Sequence, residues 1–600
     1  MSTAILTGQP AVGSPLVADL GSLGFTVHTA SGPADVLARL ADVPAHERVA
    51  VVDHRFTGHP HSLRLGLTDP RHPLAALPGA VTARPAARAR LLRALETAVP
   101  GGPPLPDRAA ELLEADGAPV YRPELGVLVA TVPADAAELA AARERTGAVD
   151  EEEVRLRSAV KSRDGFFTTF CVSPYSRYVA RWCARRGMTP NQVTTLSLLT
   201  ALVAAGCAAT GTRPGFVAAG ALLLASFVLD CADGQLARYA LRYSTLGAWL
   251  DATFDRAKEY AFYAGLALGA ARGGDDVWGL ALAAMVVQTV RHVVDFSFAE
   301  GDHYERPPDA RRPEAAASAS PAAALSGRLD RVGWTVWARR MVVLPIGERW
   351  ALIAVLTALT TPRLTLTVLI VGCLFAASYT TAGRVLRSVT RRARRTPQAA
   401  RALADLADTG PLAALAARLP LPLPALAAAG AGAALVLGTA LAAPVGSWWP
   451  ALAAGGYALL SGAAVARPLT GPLDWLVPPL FRAAEYGTVL VLAARSEVNG
   501  ALPAAFGLVA AVAYHHYDTV YRIRGAAGAP PLLLVRAVGG HEGRTLAVAL
   551  AAALWSTGAA FPVALTVLAG AVALAVLAES IRFWVSSTAP ALHDETGVPA

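Results

Sequence analysis

The chain has 600 residues, 54% of them hydrophobic and only 16% charged, and its mean hydropathy is +0.41. That excludes an ordinary soluble protein, fits several membrane spans, and allows about three or four domains by length. The net charge of +8 lies largely in arginine clusters beside apolar segments, which reads as membrane topology and not as nucleic-acid binding.

The N-terminal MSTAILTGQPAVGSP lacks a charged region followed by an apolar core. No signal peptide is expected, so the first domain should stay in the cytoplasm. Residues 1–155 read as soluble. TAILTG, FTVHTA and RVAVVDHR predict short buried strands, with helices in PLVADLGSLG and PADVLARLADV between them. Strands alternating with helices predict a parallel α/β layer. Next comes SPYSRYVARWCARRG, which sets Tyr, Val and Trp among arginines. That mixture suits a helix lying in the membrane interface; an ordinary surface helix is the other reading.

Six apolar segments of near-spanning length follow, near 193–210, 216–236, 246–270, 277–298, 349–361 and 364–386. Arg181, Arg185, Arg186, Arg238, Arg242, Arg311, Arg312, Arg339, Arg340 and the run from Arg384 to Arg395 all fall on one side of them. The opposite loops carry little beyond Arg213, Arg272 and Arg363. The arginine-rich side, with the N-terminal domain, is therefore expected to be cytoplasmic. The loop ERPPDARRPEAAASASPAAALSG is expected to be partly disordered. From 396 to 600 a second apolar block predicts about four to six further spans. In it His515, Asp518 and Arg522 can share one helical face, and Glu485 lies in another apolar segment. A head-group site and interfacial packing are both open there. The five cysteines, Cys171, Cys183, Cys207, Cys231 and Cys373, show no metal-ligand spacing and argue against a disulfide framework.

The chemistry is concentrated in LDCADGQLARYALRYSTLGAWLDATFDR. Asp230 and Asp233 are spaced i, i+3, and Asp251 and Asp255 i, i+4, so each pair lies on one helical face. A turn at LRYSTLG lets two antiparallel helices bring the pairs together. Four carboxylates at membrane depth repel one another, and a pair of divalent cations would relieve this. Oxygen-only ligands favour Mg²⁺ or Mn²⁺ over zinc. Gly234, Ala237 and Gly247 remove bulk around the cluster, and Arg238 can pair with phosphate oxygens.

The pattern D-x2-D-G-x2-A-R-x8-G-x3-D-x3-D is met at Asp230, Asp233, Gly234, Ala237, Arg238, Gly247, Asp251 and Asp255. Here the sequence resembles the CDP-alcohol phosphotransferase (CDP-alcohol phosphatidyltransferase) family. The resemblance implies a mainly α-helical polytopic membrane protein with a six-span core, over residues 156–395. It also implies transfer of a phospho-alcohol group from a CDP-alcohol to an acceptor hydroxyl, with release of CMP. By the same resemblance Asp230, Asp233 and Asp251 hold two metal ions. Asp255 shares the second ion and is the general base, and Gly234, Ala237 and Arg238 belong to the CDP site. MTPNQVTTLSLL is similar to the start of the first span in this family, which would put Asn191 and Thr194 in the nucleotide pocket; helix capping by Thr189 or Asn191 is equally open.

Arg256 directly after the fourth Asp is more similar to members that use inositol phosphate. Such members bind the acceptor's phosphate in a basic pocket, for which Arg291, Arg349 and Arg384 are the candidates. An intramembrane arginine without a partner nearby in sequence favours an anion site, and a snorkelling topology arginine is the alternative. An α/β domain before such a core resembles the bifunctional inositol-phosphate cytidylyltransferase/di-inositol-phosphate-phosphate synthase. LTGQPAVGSPL nevertheless lacks the expected glycine-rich loop and its basic residue, so the first domain is at best a degenerate nucleotidyltransferase relative. The expected partners are a CDP-alcohol, a phosphorylated alcohol and the bilayer, and a homodimer is allowed. A transporter using the Asp cluster as an ion path, or an inactive scaffold, is the competing reading. A transporter site is expected near the midplane, and a scaffold would be expected to lose a motif Asp.

Overall fold

A computed structural model describes residues 2–98, 103–161, 164–303, 337, 341–390, 395–419, 421, 423–525, 527–555 and 558–586. The Pro/Ala/Ser-rich loop, and Arg311, Arg312, Arg339, Arg340, Arg391, Arg392 and Arg394, lie outside these residues. The chain forms two compact units. One holds residues 1–161, 177–190 and 234–244, and the other 162–176, 191–233 and 245–600.

The first unit is built on strands β1 (Ser2–Leu6), β2 (Phe25–Thr29), β3 (Arg48–Val52), β4 (Thr57–Gly58), β5 (Leu74–Leu77), β6 (Ala80–Ala83) and β7 (Ala130–Thr131). Five of them form a sheet in the order β2-β1-β3-β6-β5, and β4 pairs with β7. β1 is parallel to both β2 and β3, as the strand–helix alternation predicts. β1 and β3 bury four consecutive residues each, the mark of strands covered on both faces. The sheet is mixed, however, because β6 runs antiparallel to β3 and β5. The β5–β6 hairpin was not foreseen. Its strands are alanine-rich, with weak β propensity, but its Pro78-Gly79 turn is a legible signal. Gly79 has φ +78°, which the third residue of a type II turn requires.

The second unit contains the six expected helices: α1 (Pro190–Ala209), α2 (Arg213–Ala240), α3 (Thr245–Arg272), α4 (Trp278–Gly301), α5 (Ile346–Leu359) and α6 (Pro362–Thr390). From Gly234 onward α2 groups with the first unit. The C-terminal block adds α7 (Ala425–Ala442), α8 (Trp449–Val465), α9 (Val477–Ser496), α10 (Ala501–Arg524), α11 (Gly540–Trp555) and α12 (Ala560–Ser586). Among the described residues, seven helices are long and apolar enough to cross a membrane: α1, α2, α4, α6, α7, α12 and Asp474–Ser496, which includes α9. α3 has 28 residues but carries the charges of the site, and α5 has only 14. Only 28% of the apolar window of α6, and 22% of that of α12, is covered by protein. Phe375, Val371, Val567 and Leu574 therefore point outward, as lipid-facing side chains must. The predicted interfacial helix spans Ser173–Arg185, with Tyr175, Tyr178 and Trp182 exposed.

Small residues set the packing around the motif. Gly265 and Gly269 lie one turn apart on α3, and a Cβ at either would run into the carbonyl of Ala205 or Ala208 on α1. Backbones approach this closely only where side chains are absent. The contact fixes α3 against α1, with Thr194 and Ser197 beside the acidic turns. A single apolar core joins α1–α6 to the C-terminal block, running from Val172 through Met285, Trp475 and Tyr517 to Val576.

Candidate active site

Residues 241–244 connect α2 to α3 and fold the two Asp pairs toward each other. One carboxylate oxygen each from Asp230, Asp233 and Asp251 lies within 4.8 Å of the others. Asp233 is only 4% exposed, and its Oδ2 has no hydrogen-bond partner although it is buried. Thr194 of α1 hydrogen-bonds the Asp233 carboxyl. An orphaned buried carboxylate oxygen inside an all-oxygen cradle is costly unless something positive completes it. The three carboxylates thus fit a hard divalent cation by ligand type and spacing.

Asp255 does not belong to that triad. Its Oδ1 is 2.9 Å from Nζ of Lys258, one turn further along α3. The same ammonium is paired with Asp230 Oδ1 and donates to Ser197 Oγ at 3.2 Å. It is fully buried and lies 5.7 Å from the Trp350 ring centre. Ser197 in turn donates to the Ser226 carbonyl at 2.8 Å, tying α1 to α2. Lys258 was not singled out in the sequence. Inside DATFDRAKEY it looks like one more charge on a solvated helix face. The available signal was its i, i+3 spacing from Asp255 within an apolar segment.

A second polar layer lies behind the first. Glu259 accepts from Arg256 at 2.9 Å and Tyr263 at 2.7 Å, and pairs with Arg349 Nε at 3.1 Å. Arg256 also reaches His292 Nδ1 at 3.3 Å and lies over the Tyr517 ring. Tyr517 comes from α10 in the C-terminal block, and its hydroxyl bonds the same His292 nitrogen. Of the three candidate acceptor arginines, Arg349 is thus paired with Glu259. Arg384 pairs with Asp295, and Arg291 donates to the backbone carbonyls of Val343 and Leu344. Partners absent nearby in sequence are supplied by the fold. Arg291 and Arg349 are close enough to repel each other, and Asp295 lies within electrostatic reach of Arg291.

Asn191 lies in the first turn of α1, partly exposed, and its carbonyl accepts from Thr195. Gly234, Ala237 and Arg238 continue α2 past Asp233. Arg238 Nε donates to the Ala159 carbonyl at 2.5 Å, and a Cβ at Gly234 would meet nothing nearer than the Arg238 guanidinium at 3.5 Å. In the first unit, the β1 loop packs on the residues after β3, so a Cβ at Gly8 would strike the His54 ring. Asp53 is buried and held by Arg55 at 3.2 Å. In the C-terminal block, His515 and Asp518 belong to different clusters. His515 bonds Asp408, which also holds Arg482 and Arg544; both of these arginines reach Glu485. Asp518 accepts from Arg522, Ser580 and Trp584.

Comparison with known proteins adds two matches along the chain. Residues 187–326 match the model of the CDP-alcohol phosphatidyltransferase family. Residues 397–600 match a family of unknown function (DUF5941). Over 110 residues the chain is 34% identical to a phosphatidylinositol phosphate synthase of Streptomyces avermitilis, a stretch that is 18% of this chain and 43% of the relative. The chain therefore spans less than half the length of that relative.

Proposed function

From the premise that residues 187–326 are a CDP-alcohol phosphatidyltransferase domain, we propose that this membrane protein moves a phospho-alcohol group from a CDP-alcohol to a phosphorylated polyol such as inositol phosphate, releasing CMP. The carrying observation is the convergence of Asp230, Asp233 and Asp251, with a buried Asp233 oxygen left unpartnered. These residues would hold Mg²⁺ or Mn²⁺. Bound there, such an ion neutralises the donor diphosphate and the developing charge on CMP.

The remaining steps belong to the chain's own side chains. Asp255, at the edge of the cradle, takes the proton of the acceptor hydroxyl as general base. Asn191, Thr194, Gly234, Ala237 and Arg238 bind the CDP moiety, by resemblance. The acceptor's phosphate is met by guanidinium groups. Among the described residues, Arg256, Arg291, Arg349 and Arg384 gather around three carboxylates, Asp255, Glu259 and Asp295. That surplus of buried positive charge is what a phosphate dianion would balance. The arginine-rich ends of the helices face the cytoplasm in this reading, with the acidic cluster at the same end. The test is CMP release by the purified protein against a panel of CDP-alcohols, each with phosphorylated and unphosphorylated acceptors. CMP formation that requires both a divalent cation and a phosphorylated acceptor supports the reading, and no CMP from any pair overturns it.

A further inference from the structure

The resemblance implies two divalent ions, one of them shared by Asp255. The side chains are arranged asymmetrically. Asp230, Asp233 and Asp251 converge on one point, whereas Asp255 is turned to Lys258. We propose that the domain holds a single divalent cation, in the Asp230–Asp233–Asp251 cradle, and that the Lys258 ammonium stands where a second would lie, between Asp230 and Asp255. This rests on the metal-dependent reading above.

Three features support the assignment. The ammonium donates to Asp230 Oδ1 and Ser197 Oγ and is ion-paired with Asp255 Oδ1 at 2.9 Å. Its position is fixed by the backbone, because residues three apart on α3 share a face. It also has nowhere to withdraw. The side chain is 0% exposed and packs beside Trp350 among apolar helices, where an unpaired ammonium is strongly disfavoured. A second ion bound to oxygens of both Asp230 and Asp255 at about 2.1 Å would sit almost in contact with Nζ. At low dielectric that juxtaposition of like charges is prohibitive. The two sides of the cluster therefore differ in kind. The Asp230–Asp255 side already holds the protein's own cation, whereas the Asp233–Asp251 side brings only carboxylates to the cradle.

The experiment is a Mn²⁺ titration of the full-length protein in detergent, read by electron paramagnetic resonance and by metal analysis after gel filtration. The expected result is one Mn²⁺ per chain with an uncoupled six-line spectrum. Asp255→Asn should retain that ion and Asp233→Asn should lose it. Lys258→Gln should gain a second, magnetically coupled ion. Two ions in the unmodified protein, or loss of the ion in Asp255→Asn, overturns the inference while leaving the transferase reading intact. No bound ion at all overturns both. If Lys258→Gln does not fold, the stoichiometry of the unmodified protein and of Asp255→Asn still decides.

Discussion

Replacing Arg349 by alanine should separate acceptor binding from donor binding. Arg349 is buried to 2% exposure and shares Glu259 with Arg256 and Tyr263. When it is removed, Glu259 keeps one cation and one hydroxyl donor, so the carboxylate is not stranded. The stability loss should then stay at or below about 3 kcal/mol, the low end for breaking a buried pair. The functional loss is one charge-assisted contact to the acceptor's phosphate, worth about 1.5–3 kcal/mol. That corresponds to a fall of about 10- to 150-fold in kcat/KM for the acceptor. The donor's KM should change less than about twofold, because the proposed reading places the donor diphosphate at the acidic cradle. Arg349→Lys keeps the charge but loses the planar fork, and should fall between the two. The assay is CMP release with each substrate varied in turn. An equal loss for both substrates would refute the assignment. So would an unmodified enzyme that uses the unphosphorylated alcohol as well as its phosphate.

Other outcomes follow from the same geometry. Asp233→Asn removes a cradle carboxylate and should lower CMP release by more than about 100-fold; substantial residual turnover would contradict the cradle. Tyr517→Phe deletes the hydroxyl on His292 and loosens Arg256. It should cost about 1 kcal/mol of thermal stability, and activity should fall although the residue belongs to the C-terminal block; unchanged melting and turnover would count against that coupling. Gly269→Leu should abolish folded protein in fluorescence-detected gel filtration, because the side chain would run into the backbone of Ala208 and Gly211.

The local part of the site was legible, and the long-range part was not. Helical periodicity alone put Asp230 with Asp233 and Asp251 with Asp255, and the short link between them implied a meeting of the pairs. The pairing of Glu259 with Arg349 joins residues 90 apart in sequence, and no local pattern announces it. Tyr517 and His292 are farther apart still. His515, Asp518 and Arg522 show the limit of face-sharing arguments. They share a stripe on α10, and Asp518 does pair with Arg522, yet Asp408 takes His515 while Trp584 and Ser580 also bond Asp518. Lys258 was hidden by its company, since a lysine among Asp, Arg and Glu reads as solvated until burial is known. The β5–β6 hairpin was missed because alanine-rich strands carry little β signal, and only the Pro-Gly turn gave it away.

The central claim is that the acidic cradle carries out phospho-alcohol transfer. Its most direct test is CMP formation by full-length protein supplied with a CDP-alcohol, inositol phosphate and Mg²⁺, compared with Asp251→Asn. The account predicts CMP and a phosphodiester product in equal amounts from the unmodified protein, neither of them after chelation of the metal, and neither from the variant. CMP and product at undiminished rates from Asp251→Asn, or in the presence of chelator, would contradict it.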